Sequence, residues 1–201
     1  MTVRSSLKRI VFGVSAVLVS PLVALAWIEQ HALRSEGIFV AFAQLLALAP
    51  GQVGSYLRGA YYYGTLSRCS WEAHIGFGSV FTHRGASVGP RTSMGAYCLI
   101  GHANIGEDVM MGSRVSIPSG KRQHLDDAGK ITSSTKFDTV TIGDRTWVGE
   151  GAIVMADVGK HSIVSAGAVV TKMAPENSLI GGNPASVIRE LDQPRVHRGI
   201  G

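Results

Sequence analysis

Residues 86–112, ASVGPRTSMGAYCLIGHANIGEDVMMG, repeat a pair formed by an apolar residue and a glycine. The pair recurs along the chain, chiefly at intervals of six residues, as Ile75-Gly76, Val88-Gly89, Met94-Gly95, Ile100-Gly101, Ile105-Gly106, Met111-Gly112, Ile142-Gly143, Val148-Gly149 and Val158-Gly159. This period differs from the helical period of about 3.6 residues and from strands separated by turns roughly every 8–12 residues. It is typical of a parallel β-helix, in which each hexad forms one short strand and one corner, and three hexads close a triangular coil.

The repeat also predicts where the side chains point. We expect the apolar residue of each pair to lie inside the prism and stack on its equivalent one coil away, while the glycine relieves crowding at the corner. Val164 and Val170 continue the period without the glycine. We therefore expect the β-helix domain to occupy residues 75–201.

Composition narrows the class of protein. Of 201 residues, 45% are hydrophobic and only 16% are charged, which excludes a disordered chain. Cys69 and Cys98 can form neither a disulfide framework nor a CxxC metal site, so a reducing compartment is expected. The net charge of +5 suits an anionic membrane face or a phosphate-bearing ligand, and no motif points to nucleic acid.

The N-terminal quarter contains two charge-free stretches. Ile10–Ile28 is long enough to reach across a bilayer and follows three basic residues, whereas the second stretch, 37–57, is interrupted at Pro50-Gly51. We predict a hydrophobic helical membrane-associated region at residues 1–57 and a connecting segment at 58–74, with basic flanks on the cytoplasmic side. A signal peptide and a buried pair of helices are the alternatives. The sequence leaves open whether these segments span the bilayer or lie along it.

A longer stretch carries a family resemblance. Residues 142–189, IGDRTWVGEGAIVMADVGKHSIVSAGAVVTKMAPENSLIGGNPASVIR, resemble the closing coils, the VVTK exit and the GNPA turn of the hexapeptide-repeat acyltransferases. Residues 54–69 and 75–85 are similar to the O-acetyltransferase subgroup that modifies surface polysaccharides. The resemblance implies a mainly β fold, a left-handed parallel β-helix of hexapeptide repeats with an N-terminal hydrophobic helical membrane segment and a short C-terminal helix at about residues 185–192.

The resemblance also implies an activity. The expected enzyme is an acyl-CoA-dependent O-acyltransferase that uses acetyl-CoA as co-substrate and no metal. It would modify a sugar hydroxyl in bacterial surface polysaccharide or glycolipid biosynthesis. The expected partners are two further copies in a homotrimer, a sugar or lipid-linked glycan acceptor, and the membrane, with the catalytic domain facing the cytoplasm.

The main departure from the repeat is a nineteen-residue insertion with seven charged residues, Lys121–Thr139. In the family, a loop at this place covers the neighbouring subunit's site and carries the general base, which implies His124 here. An imidazole suits the role because its pKa of about 6.5 lets it take a proton from an acceptor hydroxyl. Asp126 or Asp127 could orient that ring.

Other side chains complete the predicted site. His102, at a hexad shortened to five residues, is the second candidate for the base, and Asn104 is the candidate acceptor contact. By resemblance, the cofactor contacts are Ala166, Thr171, Lys172 and Arg189. The remaining histidines of the repeat region are expected to be structural or exposed, namely His74, His83 and His161.

Three alternative functions are compared with this expectation, and the sequence argues against two of them. The enzyme could act on a small soluble acceptor such as serine or a nucleotide sugar. A metal-dependent carbonic anhydrase of the same fold needs three converging histidines, two of them close in sequence, and the histidine spacing here offers no such pair. A non-enzymatic β-helix scaffold would have no use for the charged insertion.

Overall fold

The computed structural model describes residues 3–120, 124, 130–132 and 137–192. Three helices come first: α1 (Val3–Ile28), which continues into a π-helical turn at Glu29–Leu33, α2 (Gly37–Ala47) and α3 (Gly51–Thr65). A series of short strands follows: β1 (Arg68–Cys69), β2 (His74–Ile75), β3 (Val80–Phe81), β4 (Ser87–Val88), β5 (Ser93–Met94), β6 (Leu99–Ile100), β7 (Ala103–Ile105), β8 (Met110–Met111), β9 (Ser116–Ile117), β10 (Val140–Ile142), β11 (Trp147–Val148), β12 (Ile153–Val154), β13 (Ile163–Val164), β14 (Val169–Val170), β15 (Ser178–Gly182) and β16 (Ala185–Glu190).

The strands form three parallel sheets that are the sides of a triangular prism. The first sheet has the order β1-β4-β7-β10, the second β16-β15-β13-β11-β8-β5-β2, and the third β14-β12-β9-β6-β3. From β1 to β12, successive strands belong to successive sheets, so each coil contributes one strand to each side. In the last coils, the single bridges at Val158 and Ala174 continue the first sheet, and β16 pairs antiparallel with β15. The predicted parallel β-helix is therefore confirmed.

The interior of the prism consists of three stacked columns of buried side chains. They are Cys69, Val88, Ile105, Ile142, Val158 and Ala174 in the first sheet, Ile75, Met94, Met111, Val148, Val164 and Ile180 in the second, and Phe81, Ile100, Ile117, Val154 and Val170 in the third. The apolar residue of every repeated pair occupies one of these positions. The glycines stack as well, because a Cβ at Gly95 would lie 2.6 Å from the carbonyl carbon of Gly112 on the next coil.

The open N-terminal end of the prism is covered by α2 and α3, which contact its first coil. Aromatic side chains fill the interface: Phe39, Tyr61, Tyr62 and Phe81 are fully buried and their rings are in mutual contact. Their polar atoms are satisfied, since the Tyr61 hydroxyl donates to the Phe39 carbonyl and the Tyr62 hydroxyl accepts from the Phe81 amide. Helix α1 packs along α3.

The boundary expected at residue 57 falls inside a helix. Helix α3 continues to Thr65, and β1 begins at Arg68, ahead of the expected start of the β-helix at Ile75. Arg58 directly follows the second charge-free stretch and is one of the basic flanks expected on the cytoplasmic side, but it is only 1% exposed. Its guanidinium donates to the carbonyls of Ala49 and Ile75, so it joins the helical layer to the first coil instead of facing a membrane.

The short C-terminal helix expected at about residues 185–192 is wrong. Residues Ala185–Glu190 form strand β16, which pairs antiparallel with β15 after a turn through the cis peptide bond of Asn183-Pro184. The free edge of β15 offers unpaired backbone groups, and the β-branched Val187 and Ile188 favour an extended chain over a helix.

Candidate active site

One edge of the prism carries most of the predicted site residues. It is the edge where the chain passes from the third sheet to the first, and we call it the insertion edge. Successive coils place His83, His102, Ser119 (two residues before the 121–139 insertion), Asp157 and Lys172 on it. The repeat puts them there because each residue follows a strand of the third sheet by two or three positions.

Two imidazole rings stack at the insertion edge. The centroids of His83 and His102 are 4.6 Å apart, with an angle of 25° between the ring planes. Phe137, from the end of the insertion, lies 4.3 Å from the His83 ring and 5.5 Å from the His102 ring. The stack follows from register, since Phe81 pairs with Ile100 and each histidine lies two residues further along.

A carboxylate from the helical layer contacts this stack. Glu36, just before α2, has its Oε2 atom 2.6 Å from Nδ1 of His83, and its Oε1 atom accepts the Arg84 amide at 2.9 Å. An ionised carboxylate can only accept, so Nδ1 of His83 carries the hydrogen in this contact. This is the geometry of an imidazole that is oriented by a carboxylate.

A buried ion pair fixes the segment that carries Glu36. An Nη atom of Arg84 lies 2.8 Å from Oε2 of Glu29, and both side chains are less than 10% exposed. The Glu29 carboxylate also accepts the amides of Ile38 and Phe39, which are otherwise unpaired at the start of α2. Because both charges are buried and paired, removal of either one would be costly.

Burial and the neighbouring His83 lower the pKa of the His102 imidazole, and Glu36 opposes this effect. A lowered pKa leaves the ring neutral near pH 7. A neutral imidazole at a partly exposed edge can accept a proton from a substrate hydroxyl.

His124 is exposed, and its carbonyl accepts the Thr132 amide at 2.9 Å. No contact of its imidazole with another described residue is present in the single chain. Asp126 and Asp127, expected to orient it, lie outside the described residues. Ser119, two residues before the insertion, accepts the His102 amide through its hydroxyl at 2.8 Å, so the chain approaches the insertion beside His102.

Asn104 is exposed on the outer face of β7, where its Oδ1 accepts the Ser87 hydroxyl at 2.9 Å. It lines a groove of about 730 Å³ on the first sheet. Lys160 and Glu176, an exposed ion pair at 3.3 Å, line the same groove. Asn104 thus lies on the side of the prism that borders the insertion edge.

The four predicted cofactor contacts do not meet within one chain. Thr171 and Lys172 follow β14 on the insertion edge, and the Lys172 side chain is exposed. Arg189 is exposed on β16, a strand that contacts β14. Ala166, in contrast, follows β13 at the edge between the second and third sheets.

The other two histidines lie away from this edge. His74 is on β2, where its Nδ1 atom lies 2.9 Å from the Ser55 hydroxyl of α3. His161 is at a corner before β13, in the left-handed backbone region. Among the described residues, no group of three or more His, Cys, Asp or Glu side chains could hold a metal ion.

Comparisons with known proteins agree with this architecture. A Schizosaccharomyces pombe protein provisionally named an acetyltransferase is 38% identical over 91 residues, 44% of this chain and 43% of that protein. Maltose O-acetyltransferase from Clostridium difficile 630 superposes with a TM-score of 0.69 at 21% identity, over 83% of this chain and 91% of its own. The acetyl-CoA complex of a hexapeptide-repeat acetyltransferase from Vibrio cholerae O1 biovar eltor gives 0.66 at 20% identity, over 82% and 90%.

The chain has the hexapeptide-repeat acetyltransferase fold. The expected resemblance is thereby confirmed, including the left-handed course of the coil. No family model matches the chain. The chain spans less than half the length of curated relatives that it matches, 29% of one and 43% of another. The identities to the solved structures are below 25%, so these comparisons show the fold alone.

Within this hexapeptide-repeat fold, three members of the cluster were not singled out from the sequence. His83 was expected to be structural or exposed, yet it is at the centre of the stack. It is as far from His102 in sequence as Phe81 is from Ile100, its pairing partner on the next coil. This equal spacing in the sequence could have indicated the stack. Glu36 and Phe137 had no such signal. Glu36 is 47 residues from its partner, and Phe137 lies outside the repeat.

Proposed function

We propose that the protein is an acyl-CoA-dependent O-acyltransferase that transfers an acetyl group from acetyl-CoA to a sugar hydroxyl in bacterial surface polysaccharide or glycolipid biosynthesis. The observation that carries this proposal is the cluster of Glu36, His83, His102 and Phe137 at the insertion edge of a fold whose solved members include an acetyl-CoA complex.

The chemistry requires one base. The imidazole takes the proton of the acceptor hydroxyl as the oxygen attacks the thioester carbonyl, and the CoA thiolate leaves and recovers that proton. His124 is the base implied by resemblance, and it would act from the insertion. His102 is the base that the single-chain geometry favours, because its ring has a lowered pKa and a fixed orientation.

A sugar fits the remaining groups of the edge. The Glu36 carboxylate and the Asn104 amide are groups that hydrogen-bond to sugar hydroxyls, and Phe137 offers an apolar face to a pyranose ring. Glu36 directly precedes α2 in the apolar helical layer, so an acceptor delivered from a membrane would reach this end of the prism first.

The cofactor can lie along the same edge. From His102 to Lys172 there are three coil steps, about 14 Å at the strand spacing of roughly 4.8 Å. A pantetheine arm covers such a distance, with its thioester near the histidines. The cations of Lys172 and Arg189 are then available for the phosphates.

A homotrimer would complete the cofactor site. Ala166 lies on a different edge from Lys172, so both can contact one cofactor only if a second copy presents its own Ala166 edge to the insertion edge. Rotational symmetry repeats this arrangement at each of three interfaces.

For location, we propose membrane association with the catalytic domain facing the cytoplasm, where acyl-CoA is found. Residues Ser5–Leu33 form a helix that is long and apolar enough to cross a membrane, and only 17% of its most apolar window is buried. Basic residues precede it, as expected for a cytoplasmic N-terminus.

A small soluble acceptor, such as serine or a nucleotide sugar, is the alternative. A soluble acceptor is favoured by the structural neighbours named for maltose and galactoside. Serine and nucleotide sugars are tried as acceptors in the same experiment.

The test uses the detergent-purified full chain and acetyl-CoA labelled in the acetyl group. We expect label to enter a lipid-linked glycan fraction as an ester that is released by mild alkali, and to enter maltose, serine or a nucleotide sugar far more slowly. His124→Ala should lower kcat about 10²- to 10⁴-fold at unchanged KM for acetyl-CoA. Near-normal turnover of that variant would move the base to His102, and the absence of transfer to every acceptor would contradict the proposal.

A further inference from the structure

Helix α1 has two apolar faces. One face packs against the protein through Phe12, Ser15, Ala16, Val19, Leu22, Val23 and Ala26, at helical spacing. The opposite face is exposed and consists of Ile10, Gly13, Val14, Val17, Leu18, Pro21, Ala24, Leu25 and Ile28. Surface helices in water carry charged residues on the outer face, and this one carries none over nineteen residues.

The exposed apolar surface extends beyond α1. Leu45 and Leu48, at the end of α2, are 59% and 69% exposed, and Val53 at the start of α3 is 71% exposed. Exposed apolar side chains in this number mark an interface with another protein or with lipid.

Both ends of α1 contact the same coil of the β-helix. Near the N-terminus, the Arg9 guanidinium lies 5.3 Å from the ring centroid of Trp71, and the Phe12 ring meets the same indole edge-on. Past the C-terminus, Glu29 pairs with Arg84. Trp71 and Arg84 both belong to the first coil, between β1 and β4.

These contacts are incompatible with a helix that crosses the bilayer. The twenty residues from Arg9 to Glu29 extend about 30 Å, close to the thickness of the hydrocarbon core. A spanning α1 would place Arg9 and Glu29 on opposite sides of the bilayer, whereas the coil that both contact lies on one side. The helix therefore lies across the end of the prism.

Charge and aromatic residues identify the occupant of the outer face. Lys8 and Arg9 at one end and Arg34 at the other are all exposed, so both ends of the apolar face carry positive charge. Trp27, which is 57% exposed, lies between them. Cations and tryptophan are the residues that anchor helices at an anionic bilayer surface.

We propose that α1 is an in-plane anchor, which lies along one leaflet of an anionic bilayer and keeps both of its ends on the side of the β-helix. The proposal rests on the membrane association proposed above but not on the acyl transfer, and neither experiment below measures activity.

The first experiment determines the side of each end by cysteine labelling. Ser6→Cys and Ser35→Cys place thiols at exposed positions beyond the two ends of the apolar face, and Ser186→Cys marks the side of the β-helix. Full-length protein in sealed vesicles is treated with a membrane-impermeant maleimide, with the unsubstituted chain as control because Cys69 and Cys98 are buried. We expect all three cysteines to react from the same side. Labelling of Ser35→Cys from the side opposite to Ser6→Cys would overturn the proposal.

The second experiment measures flotation with vesicles. The substitutions Val17→Glu and Leu18→Glu together put two acids on the outer face of α1, and Met110→Glu makes the same kind of change at a position of the β-helix that is 57% exposed. On vesicles of phosphatidylglycerol with phosphatidylethanolamine, we expect the α1 variant to lose at least about tenfold in bound fraction. The Met110 variant should bind normally, and both should unfold at the temperature of the unsubstituted chain.

Three results would contradict the proposal. The first is undiminished vesicle binding of the α1 variant. The second is binding of the unsubstituted chain to phosphatidylcholine vesicles as strong as to the anionic vesicles. The third is an unsubstituted chain that does not bind vesicles but forms oligomers through α1. The last result would assign the apolar face to a second copy. Acetyl transfer to a soluble sugar, measured separately, shows whether the enzyme proposal stands when the anchor proposal fails.

Discussion

At the insertion edge, burial and the His83 ring act together to lower the pKa of His102, while Glu36 acts in the opposite direction. In the folded chain, His102 therefore releases its proton below the usual value of about 6.5. Its contribution to stability is present above pH 6.5 and is lost as the pH falls through the lower folded pKa, because the unfolded state then binds more protons.

This shift predicts the pH dependence of the enzyme if His102 is the base. The value of kcat/KM should rise with pH through an apparent pKa below about 6.5, since only the neutral ring accepts a proton. Glu36→Gln removes the charge that favours the imidazolium, so the rising limb should move to lower pH. The profile is measured with acetyl-CoA and a fixed acceptor. A limb that Glu36→Gln leaves in place, or that persists in His102→Ala, would contradict this role of His102.

Lys172 should act on binding and not on the chemical step. If its ammonium contacts a cofactor phosphate far from the thioester, Lys172→Ala raises KM for acetyl-CoA about tenfold or more and changes kcat little. Lys160→Ala is the matched control, because Lys160 is also an exposed lysine but pairs with Glu176 on a different edge. A similar KM for the two variants would remove Lys172 from the cofactor site.

Among the elements, the stacked corners set the coil spacing. A Cβ at Gly95 would lie within 3 Å of the Gly112 backbone, which has no freedom to move because β5 and β8 pair there. Gly95→Ala should therefore destabilise the chain by about 1–3 kcal/mol, as overpacking does. Gly13→Ala, in α1 with open space around it, is the control and should be neutral or stabilising. Denaturant unfolding compares the two, and equal stabilities would contradict the stacking account.

The sequence predicted the strands of the repeat but not the last strand. The repeat predicted most of the inward-facing positions from Ile75 to Val170, because a hexad with one buried residue per strand leaves little choice of register. It did not single out Phe81, Ile117 and Val154, which lack the following glycine. It did not predict strand β16, since the pairing of Ala185–Glu190 depends on the free edge of β15 and not on local pattern.

For the site, the sequence identified His102 and the insertion, since both interrupt the period. The sequence did not indicate Glu36 as a site residue, because its carboxylate contacts His83 only when the helical layer covers the end of the prism. The roles of His102, His124, Asn104 and the cofactor contacts stay predictions.

At the scale of the whole molecule, we predict a homotrimer. Parallel association of three prisms would put all three α1 helices on one face, so that three weak in-plane anchors bind a membrane together. Sedimentation of the detergent-solubilised protein should give three times the mass of one chain after correction for bound detergent. A monomeric mass with full activity would contradict the shared cofactor site.

The measurement that tests the central claim most directly is the mass of the source cell's purified surface glycan, with and without this protein. The account predicts that the wild-type glycan is heavier by one acetyl group per modified repeat, about 42 Da, that mild alkali removes the difference, and that the deletion strain lacks it. Identical glycan masses in the two strains, with the protein expressed and acetyl-CoA present, would contradict the assignment of this chain to surface-glycan acetylation.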